Sequence, residues 1–390
     1  MKNKTFLRTA ALILLLATLS ACRTNPPEVS DEAAPSKLQQ KHYLRGFINK
    51  SGLWAIKPQF ITAGSFSEGL AHVADPRGSY INKAGNFVIK KDYYVGGDFH
   101  DGLAWVGIPK QNWSDVNKAD DQLLYGFINK AGEFVIKPQF RQAFHFSEGL
   151  AMVLARNSKT WGFINKKGEM QIKAQFILAT DNNEVDEFQA PAFKHGVALV
   201  RKESGKDIYI DKNGVELSAA AVKKYKEAED FGEEGLKAKK LNGDWGFVDR
   251  SGKFVIEAKF ARAGQFHDGL ALVRTDGKRW GFINKEGVLI AEATRKYEFM
   301  DFHDGMCQFR ERDNGSGDWG YMNKDGKIVI PLSLKNAEPF QDGLAAADGE
   351  VSAEELKNIH FPFEYTVQNN SLSFPIKFSK DDTEKEPQSK

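Results

Sequence analysis

Seven acidic side chains recur immediately before a glycine, and they are the first candidates for chemistry. Carboxylates serve as general acids, bases and cation ligands. The seven are Glu68, Asp101, Glu148, Glu234, Asp268, Asp304 and Asp342. Catalysis needs one site of unlike groups, whereas these are equivalent positions of one motif. We therefore expect them to have a turn role, and we predict no catalytic residue.

A cation follows Asn or Asp at eight positions. Four of them, Lys50, Lys83, Lys130 and Lys166, are candidate binding residues, and Lys212, Arg250, Lys285 and Lys324 complete the set. If the repeats stack regularly, these cations share one edge. That edge could meet an anionic surface such as lipid A phosphates or an acidic partner. The alternative is a solvated turn tip.

Two tryptophans, Trp105 and Trp113, stand outside the Trp-Gly pattern and are candidate glycan contacts. Trp113 lies in an insertion between Gly107 and Leu124. Two further insertions run from Thr180 to Ala192 and from Ser218 to Gly232, and residues 219–225 of the second predict a helix. Insertions in repeat proteins often carry specificity, although they also occur as tolerated surface loops.

Metal and cofactor chemistry finds little support in the sequence. His100, His267 and His303 occupy one repeat position, so they are held apart, whereas metal ligands must converge. Cys307 stands where other repeats have alanine, which predicts a small buried side chain. Neither a nucleophile elbow, a phosphate loop nor a zinc spacing occurs. We predict no metal and no cofactor.

Two motifs that recur in register position these candidates. Phe47-Ile-Asn-Lys-Ser-Gly52 returns in eight copies that end at Gly52, Gly85, Gly132, Gly168, Gly214, Gly252, Gly287 and Gly326. Phe66-Ser-Glu-Gly-Leu-Ala71 also returns eight times. The base unit is about 35 residues, which is typical of repeat architectures.

Each unit predicts three antiparallel strands. Aromatic-Ile-Asn-Lys-x-Gly is a strand that enters a tight turn, in which glycine takes the left-handed position. A β-branched and aromatic strand follows, and it often ends in Lys-Pro-Gln-Phe. Gly-Leu-Ala opens the third. These strands are apolar on both faces, so the sheets must stack on their neighbours.

Trp-Gly-Phe-Ile-Asn-Lys-x-Gly together with Phe-x-Asp/Glu-Gly-Leu-Ala resembles the WG-repeat (KWG-repeat) family over residues 45–348. Several copies depart from it: Arg45-Gly46 and Tyr125-Gly126 lack the tryptophan, and Asp207-Ile208 lacks both residues. The resemblance implies an all-β repeat array that mediates binding in secreted and surface bacterial proteins, and it implies no catalytic residues.

The phase of the array favours a closed, propeller-like arrangement of eight units over an open superhelix. The first copy begins one strand short, at Phe47, and the last ends with a spare strand, Gly343 to Ala347. In a closed array the spare strand completes the first sheet and covers its edge.

The ends of the chain predict an envelope location. Residues 1–21 read as a signal peptide with an apolar core of about ten residues, which is half of a membrane span. Leu19-Ser20-Ala21-Cys22 resembles a lipobox, so Cys22 is the predicted lipidation site, within a tether over residues 22–44. Arg23 favours the outer membrane if the cell is Gram-negative. Residues 349–390 form an extension with a hairpin around residues 368–371 and a charged tail.

The sequence therefore predicts a non-enzymatic, lipid-anchored scaffold that binds an envelope protein. The net charge of +2 on 390 residues argues against nucleic acid as the partner. Two alternatives stay open: a glycan or envelope-polymer binder, and a hydrolase or hydrolase inhibitor with a cleft formed by the inserted loops.

Overall fold

The Asn-Lys-x-Gly motif folds as a hairpin turn capped by its own side chain. In the first copy, Asn49 Oδ1 accepts hydrogen bonds from the N–H groups of Ser51 (3.0 Å) and Leu53 (3.1 Å), and Gly52 has a φ of 82°. The same pair of bonds forms in all eight copies, at Asn49, Asn82, Asn129, Asn165, Asp211, Asp249, Asn284 and Asn323. The predicted turn is confirmed.

The computed structural model describes residues 42–75, 77–109, 123–178, 190–229, 235–275, 279–293, 296–312, 318–352, 355, 366–368 and 371–373. Its elements are β1 (His42–Asn49), β2 (Trp54–Phe60), β3 (Thr62–Ala63), β4 (Leu70–Asp75), β5 (Arg77–Asn82), β6 (Phe87–Tyr93), β7 (Val95–Gly96), β8 (Ala104–Pro109), β9 (Leu123–Ile128), β10 (Phe134–Ser147), β11 (Leu150–Ala155), β12 (Trp161–Asn165), β13 (Met170–Ile177), β14 (Val197–Lys202), β15 (Asp207–Asp211), α1 (Ala219–Glu229), β16 (Lys237–Leu241), β17 (Asp244–Val248), β18 (Phe254–Phe260), β19 (Arg262–His267), β20 (Leu270–Arg274), β21 (Trp280–Ile283), β22 (Leu289–Ala293), β23 (Tyr297–His303), β24 (Met306–Glu311), β25 (Trp319–Asn323), β26 (Ile328–Leu334), β27 (Leu344–Val351), β28 (Thr366–Gln368) and β29 (Ser371–Ser373).

Strands β1 to β27 form eight successive antiparallel sheets, one for each repeat, numbered here in chain order. Sheet I is β27-β1-β2, sheet II is β3 to β6, sheet III is β7 to β9 with the first half of β10, sheet IV is the second half of β10 with β11 to β13, sheet V is β14-β15, sheet VI is β16 to β18, sheet VII is β19 to β22 and sheet VIII is β23 to β26. Sheets III to V are continuous because β10 and β13 each pair on both sides of a repeat boundary.

A short fourth strand precedes the Phe-x-acid-Gly turn, where three strands per unit were predicted. It is clearest as β3, β7, β19 and β23. Strands β3 and β7 are only two residues long and β19 is largely polar, so the sequence does not mark them as strands. Strand β23 has seven residues, including Tyr297, Phe299 and Phe302, and was missed although its pattern suits a strand. All four pair with the Gly-Leu-Ala strand that follows.

The last strand of the array pairs with the first. Strand β27 lies antiparallel to β1 over eight residue pairs, from His42 opposite Val351 to Asn49 opposite Leu344. The sheets themselves are open, but this pairing joins the two ends of the array. The spare last strand thus completes the first sheet, as the repeat phase predicted for a closed array, and the pairing extends three residues beyond each predicted domain boundary.

The core lies between consecutive sheets. One cluster joins Phe47 and Phe60 of sheet I to Phe66 and Ala71 of sheet II, all nearly fully buried. Equivalent clusters join the other consecutive pairs, except that the described residues of sheets V and VI share none. The stacking inferred from two-faced apolar strands is thus confirmed.

The glycine of Trp-Gly is required by close contact between strands. A Cβ on Gly162 would lie 2.6 Å from the Ile172 carbonyl oxygen, which is too close for any side chain. The pairing of β12 with β13 shifts register at this point. The outer strand bulges against the glycine, and only a residue without a Cβ permits this.

The C-terminal extension contains the predicted hairpin turn. Gln368 pairs with Ser371, and β28 and β29 flank the turn with three residues each. The predicted strand over residues 361–365, and all but the first two residues of the one predicted over 372–378, lie outside the described residues. The one helix of the described residues, α1, is too short and too polar to cross a membrane.

Candidate functional site

The acidic residues before glycine occupy strained two-residue turns. Glu68 and Gly69 have φ of 52° and 88°, and Ser67 and Leu70 exchange backbone hydrogen bonds across them. Positive φ at both central positions defines a type I′ hairpin, for which Asp-Gly is a favoured sequence. The expected turn role is therefore confirmed for six of the seven acids, and Glu234 lies outside the described residues.

Each of the six described carboxylates also binds the next sheet. Glu68 of sheet II accepts the Gly102 N–H of sheet III at 3.1 Å and lies 3.1 Å from Lys130 Nζ of that sheet. We call this carboxylate, glycine and lysine the inter-sheet latch. Its carboxylate–glycine bond recurs from Asp342 to Gly69, Asp101 to Gly149, Glu148 to Gly196, Asp268 to Gly305 and Asp304 to Gly343.

The latch lowers the pKa of Glu68, Glu148 and Asp304. Partial burial alone would raise the pKa of Glu68, but the Gly102 N–H and the Lys130 ammonium lower it further than burial raises it. Glu148 and Asp304 have lowered pKa values from the same balance. These three carboxylates are thus held ionised and hydrogen-bonded, which suits a structural contact between sheets better than proton transfer.

The four candidate lysines all reach back to the preceding sheet. Lys50 Nζ lies 2.8 Å from Asp304, Lys83 Nζ lies 3.8 Å from Asp342, and Lys166 Nζ donates to the Asp101 carbonyl oxygen at 2.5 Å. Lys130 binds Glu68 as described above. Lys50, Lys83 and Lys130 are thus paired with latch carboxylates, and Lys166 is bound to the backbone of a latch residue.

The remaining candidates are dispersed. Trp105 is half-buried, its ring centroid 5.7 Å from that of Tyr125, and its indole lies where a Cβ on Gly97 would be. It packs between sheets and is not an exposed platform. Trp113 and Cys22 lie outside the described residues.

No group of three or more potential metal ligands occurs in the part of the chain that the structure describes. His100 pairs with His145 of the next sheet, with ring centroids 4.5 Å apart, and His267 lies 3.8 Å from Asp301. Cys307 is fully buried, as predicted, and burial raises its pKa to about 12.

Arg45 replaces the tryptophan of the repeat, and its sequence context alone predicted no role for it. Its guanidinium bonds Asp348 (3.2 Å), Glu338 (3.3 Å) and the Asn336 carbonyl oxygen, all from the last repeat. It thereby ties β1 to the segment around β27. The contact could have been predicted from the sequence, because an arginine replaces tryptophan in the first repeat and the last repeat carries Glu338 and Asp348.

Sheet V departs most from the repeat. The chain leaves the outer strand at Ser218, whose Oγ caps the predicted helix α1. In sheets I and IV the outer strand continues as far as the Trp-Gly position of its neighbour, so that Phe60 pairs with Arg45 and Phe176 pairs with Trp161. The acid position of the latch here holds His195, with a φ of 49°.

An open groove of about 510 Å³ lies between α1 and β15, beside the shortened outer strand. Its lining is unlike anything in the other repeats: Lys206, Asp207, Ile208, Tyr209, Glu216, Leu217, Ala219, Val222, Lys223 and Lys226. The helix was predicted, but the groove was not, because it depends on where the strand stops.

The groove has an apolar floor and a basic rim. Glu216 is bound by both Lys202 (2.6 Å) and Lys206 (3.1 Å), and Asp207 is bound by Arg201 (2.6 Å). These cations lower the pKa of both carboxyl groups. Lys223 and Lys226 of α1 add two further positive charges. The groove therefore favours an anionic, partly apolar ligand.

The comparisons agree with the repeat pattern. The profile described as WG containing repeat matches more than half of the chain, at residues 46–73, 79–108, 125–157, 161–184, 245–278, 280–314 and 319–347. Sheet V and α1 fall in the unmatched stretch. Among curated proteins, none matches the chain.

Several solved structures are similar in fold. The computationally designed Ika8 protein is 11% identical over 80% of this chain and 96% of its own, with a TM-score of 0.37. BamB from Moraxella catarrhalis is 12% identical over 74% and 95%, with a TM-score of 0.35. The WD40 β-propeller domain of Doa1 is 8% identical over 80% and 96%, with a TM-score of 0.27. These likenesses concern the fold alone.

Proposed function

Because this chain belongs to the family built from WG-containing β-repeats, we propose that it is a non-catalytic scaffold that binds another protein in the bacterial cell envelope. The observation that carries the proposal is the distribution of polar side chains. The repeated acids and lysines fasten neighbouring sheets to one another, whereas the residues without counterparts gather around the groove of sheet V.

The groove supports binding better than catalysis. Each of its two carboxylates is held by one or two cations within 3.1 Å. A general acid or base needs a pKa near the working pH, and both of these carboxyl groups have lowered values. A glycan site at Trp105 is disfavoured because that ring is packed against Tyr125.

Anchoring through Cys22 to the outer membrane belongs to the same proposal. A clickable fatty-acid analogue should label the wild-type protein in cells and leave Cys22→Ser unlabelled. Cys22→Ser should also move from the membrane fraction to the soluble fraction. Equal labelling of both proteins would refute lipidation at this residue.

Site-specific photocrosslinking in intact cells tests the binding role. A photoreactive residue at position 219, which lines the groove, should yield a discrete adduct with another envelope protein, while one at position 255, exposed on sheet VI, should not. Absence of protein adducts at position 219, with the protein retained on peptidoglycan or lipopolysaccharide instead, would replace this proposal with the glycan alternative.

A further inference from the structure

Sheet V presents half of an open strand edge to the groove. Glu216 bridges Ile210, and the Leu217 N–H donates to the Tyr209 carbonyl oxygen at 2.8 Å, after which the chain turns into α1. Among the described residues, Asp207 pairs only with Arg201 of β14. Its counterparts Arg45, Trp161 and Trp245 each pair on both sides.

The free half-edge faces the groove. Residues two apart in a strand direct their backbone groups to the same side. Since the Tyr209 carbonyl points toward Leu217, the N–H and C=O of Asp207 point the same way. Lys206, Asp207 and Ile208 line the groove at this end. A strand edge thus forms one wall, and α1 forms the other.

The charges of the second wall and of the rim select the occupant. Lys223 and Lys226 lie on the groove side of α1, and Lys226 Nζ is 5.1 Å from the centre of the Tyr209 ring. Lys202 and Lys206 both bind Glu216, so these three side chains together carry a net positive charge. Leu217 and Val222 supply apolar contact between these cations.

We propose that the groove of sheet V binds an extended acidic segment of a partner protein, which adds to β15 as the second half of the missing outer strand. Backbone hydrogen bonds to Asp207 would hold the segment. Its acidic side chains would contact Lys206, Lys223 and Lys226, and its alternate apolar side chains would pack on Leu217 and Val222. This inference rests on the proposed protein-binding function and names the chemistry of the partner.

Selection from a displayed library of random twelve-residue peptides against the full-length protein in detergent provides the test. Selected peptides should alternate acidic and apolar residues. The best of them, made synthetically, should bind Lys223→Glu/Lys226→Glu about tenfold more weakly or worse. Lys224→Glu reverses one charge on the same helix, half the change of the double variant, but Lys224 does not line the groove. It should retain wild-type affinity, whereas Lys226→Glu alone, which matches it in charge, should weaken binding.

Backbone N-methylation of alternate peptide residues separates strand addition from simple charge attraction. The methylated peptide in one of the two registers should lose binding, because its edge amides can no longer donate. Selected peptides without acidic residues, equal weakening by Lys224→Glu, or full binding by both methylated peptides would each overturn the proposal. So would an acidic polysaccharide that binds the groove when no peptide does.

Failure of this inference is distinguishable from failure of the proposed function. If photocrosslinking traps an envelope protein but no acidic peptide binds the groove, the scaffold role stands and the strand-addition site falls. If peptides bind in vitro but no protein is trapped in cells, the groove chemistry is right and its assignment to an envelope partner is wrong.

Discussion

Replacing Arg45 with alanine should loosen the join between the first and last strands. The Arg45 side chain is only 12% exposed and Asp348 only 14%, whereas Glu338 is 41% exposed. The substitution leaves the Asp348 carboxylate buried, with the Asn336 amide still donating to it at 2.6 Å.

The magnitude follows from this burial. Removing one partner of a buried ion pair destabilises a protein by about 3–5 kcal/mol, whereas an exposed pair contributes about 0–1 kcal/mol. Asn336 partly compensates Asp348, and Glu338 can reach water. We therefore expect the lower end of the buried range, about 3 kcal/mol in the free energy of unfolding.

Urea unfolding followed by tryptophan fluorescence measures this loss. Arg45→Lys keeps the charge but not the planar fork, so it should recover only part of the stability. Arg279→Ala is the control, because Arg279 and Glu292 are 63% and 57% exposed. It should lose less than about 1 kcal/mol.

A double-mutant cycle with Asp348→Asn decides whether the loss comes from the ion pair. Coupling of about 2 kcal/mol is expected, since the two groups are in contact. The reasoning is refuted if Arg45→Ala costs no more than Arg279→Ala, or if Arg45→Ala and Asp348→Asn are additive.

Three further outcomes are expected. Because the pKa of Glu68 is lowered on folding, its stabilisation is complete above the ordinary value of 4.5 and is lost as the pH falls through the lower folded value. Acid titration of stability should therefore be shallower in Glu68→Gln, and identical curves would contradict the latch. Gly162→Ala should lower the free energy of unfolding by about 1–3 kcal/mol, as measured from the shift in melting temperature, because the Ile172 backbone cannot move away. Gly264→Ala should destabilise the protein less, because the nearest atom to its new Cβ is 3.3 Å away. In a Cys22→Ser chain, Cys307 should resist a thiol reagent at mildly alkaline pH until urea unfolds the protein, and rapid native labelling would show that it is accessible.

The repeat, its turns and its closure could be predicted because each depends on local residue types or on phase. Asn49 and Gly52 determine their turn within four residues of chain, wherever the turn lies in the molecule. The helix at Ala219 was equally local. Closure followed from a strand count, since the unpaired strand at one end required a partner at the other.

The latch and the groove could not be predicted because they depend on relations between repeats. Glu68 and Lys130 are 62 residues apart, and no sequence pattern indicates that a carboxylate meets the lysine of the next unit. Trp105 was interpreted as a glycan contact because the sequence alone does not show that its indole packs beside Gly97. The groove could have been predicted only if the end of the outer strand at Ser218 had been known.

The pairing of β1 with β27 has a consequence for chain connectivity. His42 and Val351 are neighbours across the pair, so a short linker could join the two ends and new termini could be opened in a loop elsewhere. Such a circular permutant should fold to the same set of sheets, with the sheet built from distant segments now formed from consecutive residues. The wild-type chain, by contrast, must close a loop of about 300 residues before sheet I is complete. Sheet I should therefore be the last to form in the natural connectivity and among the first in the permutant.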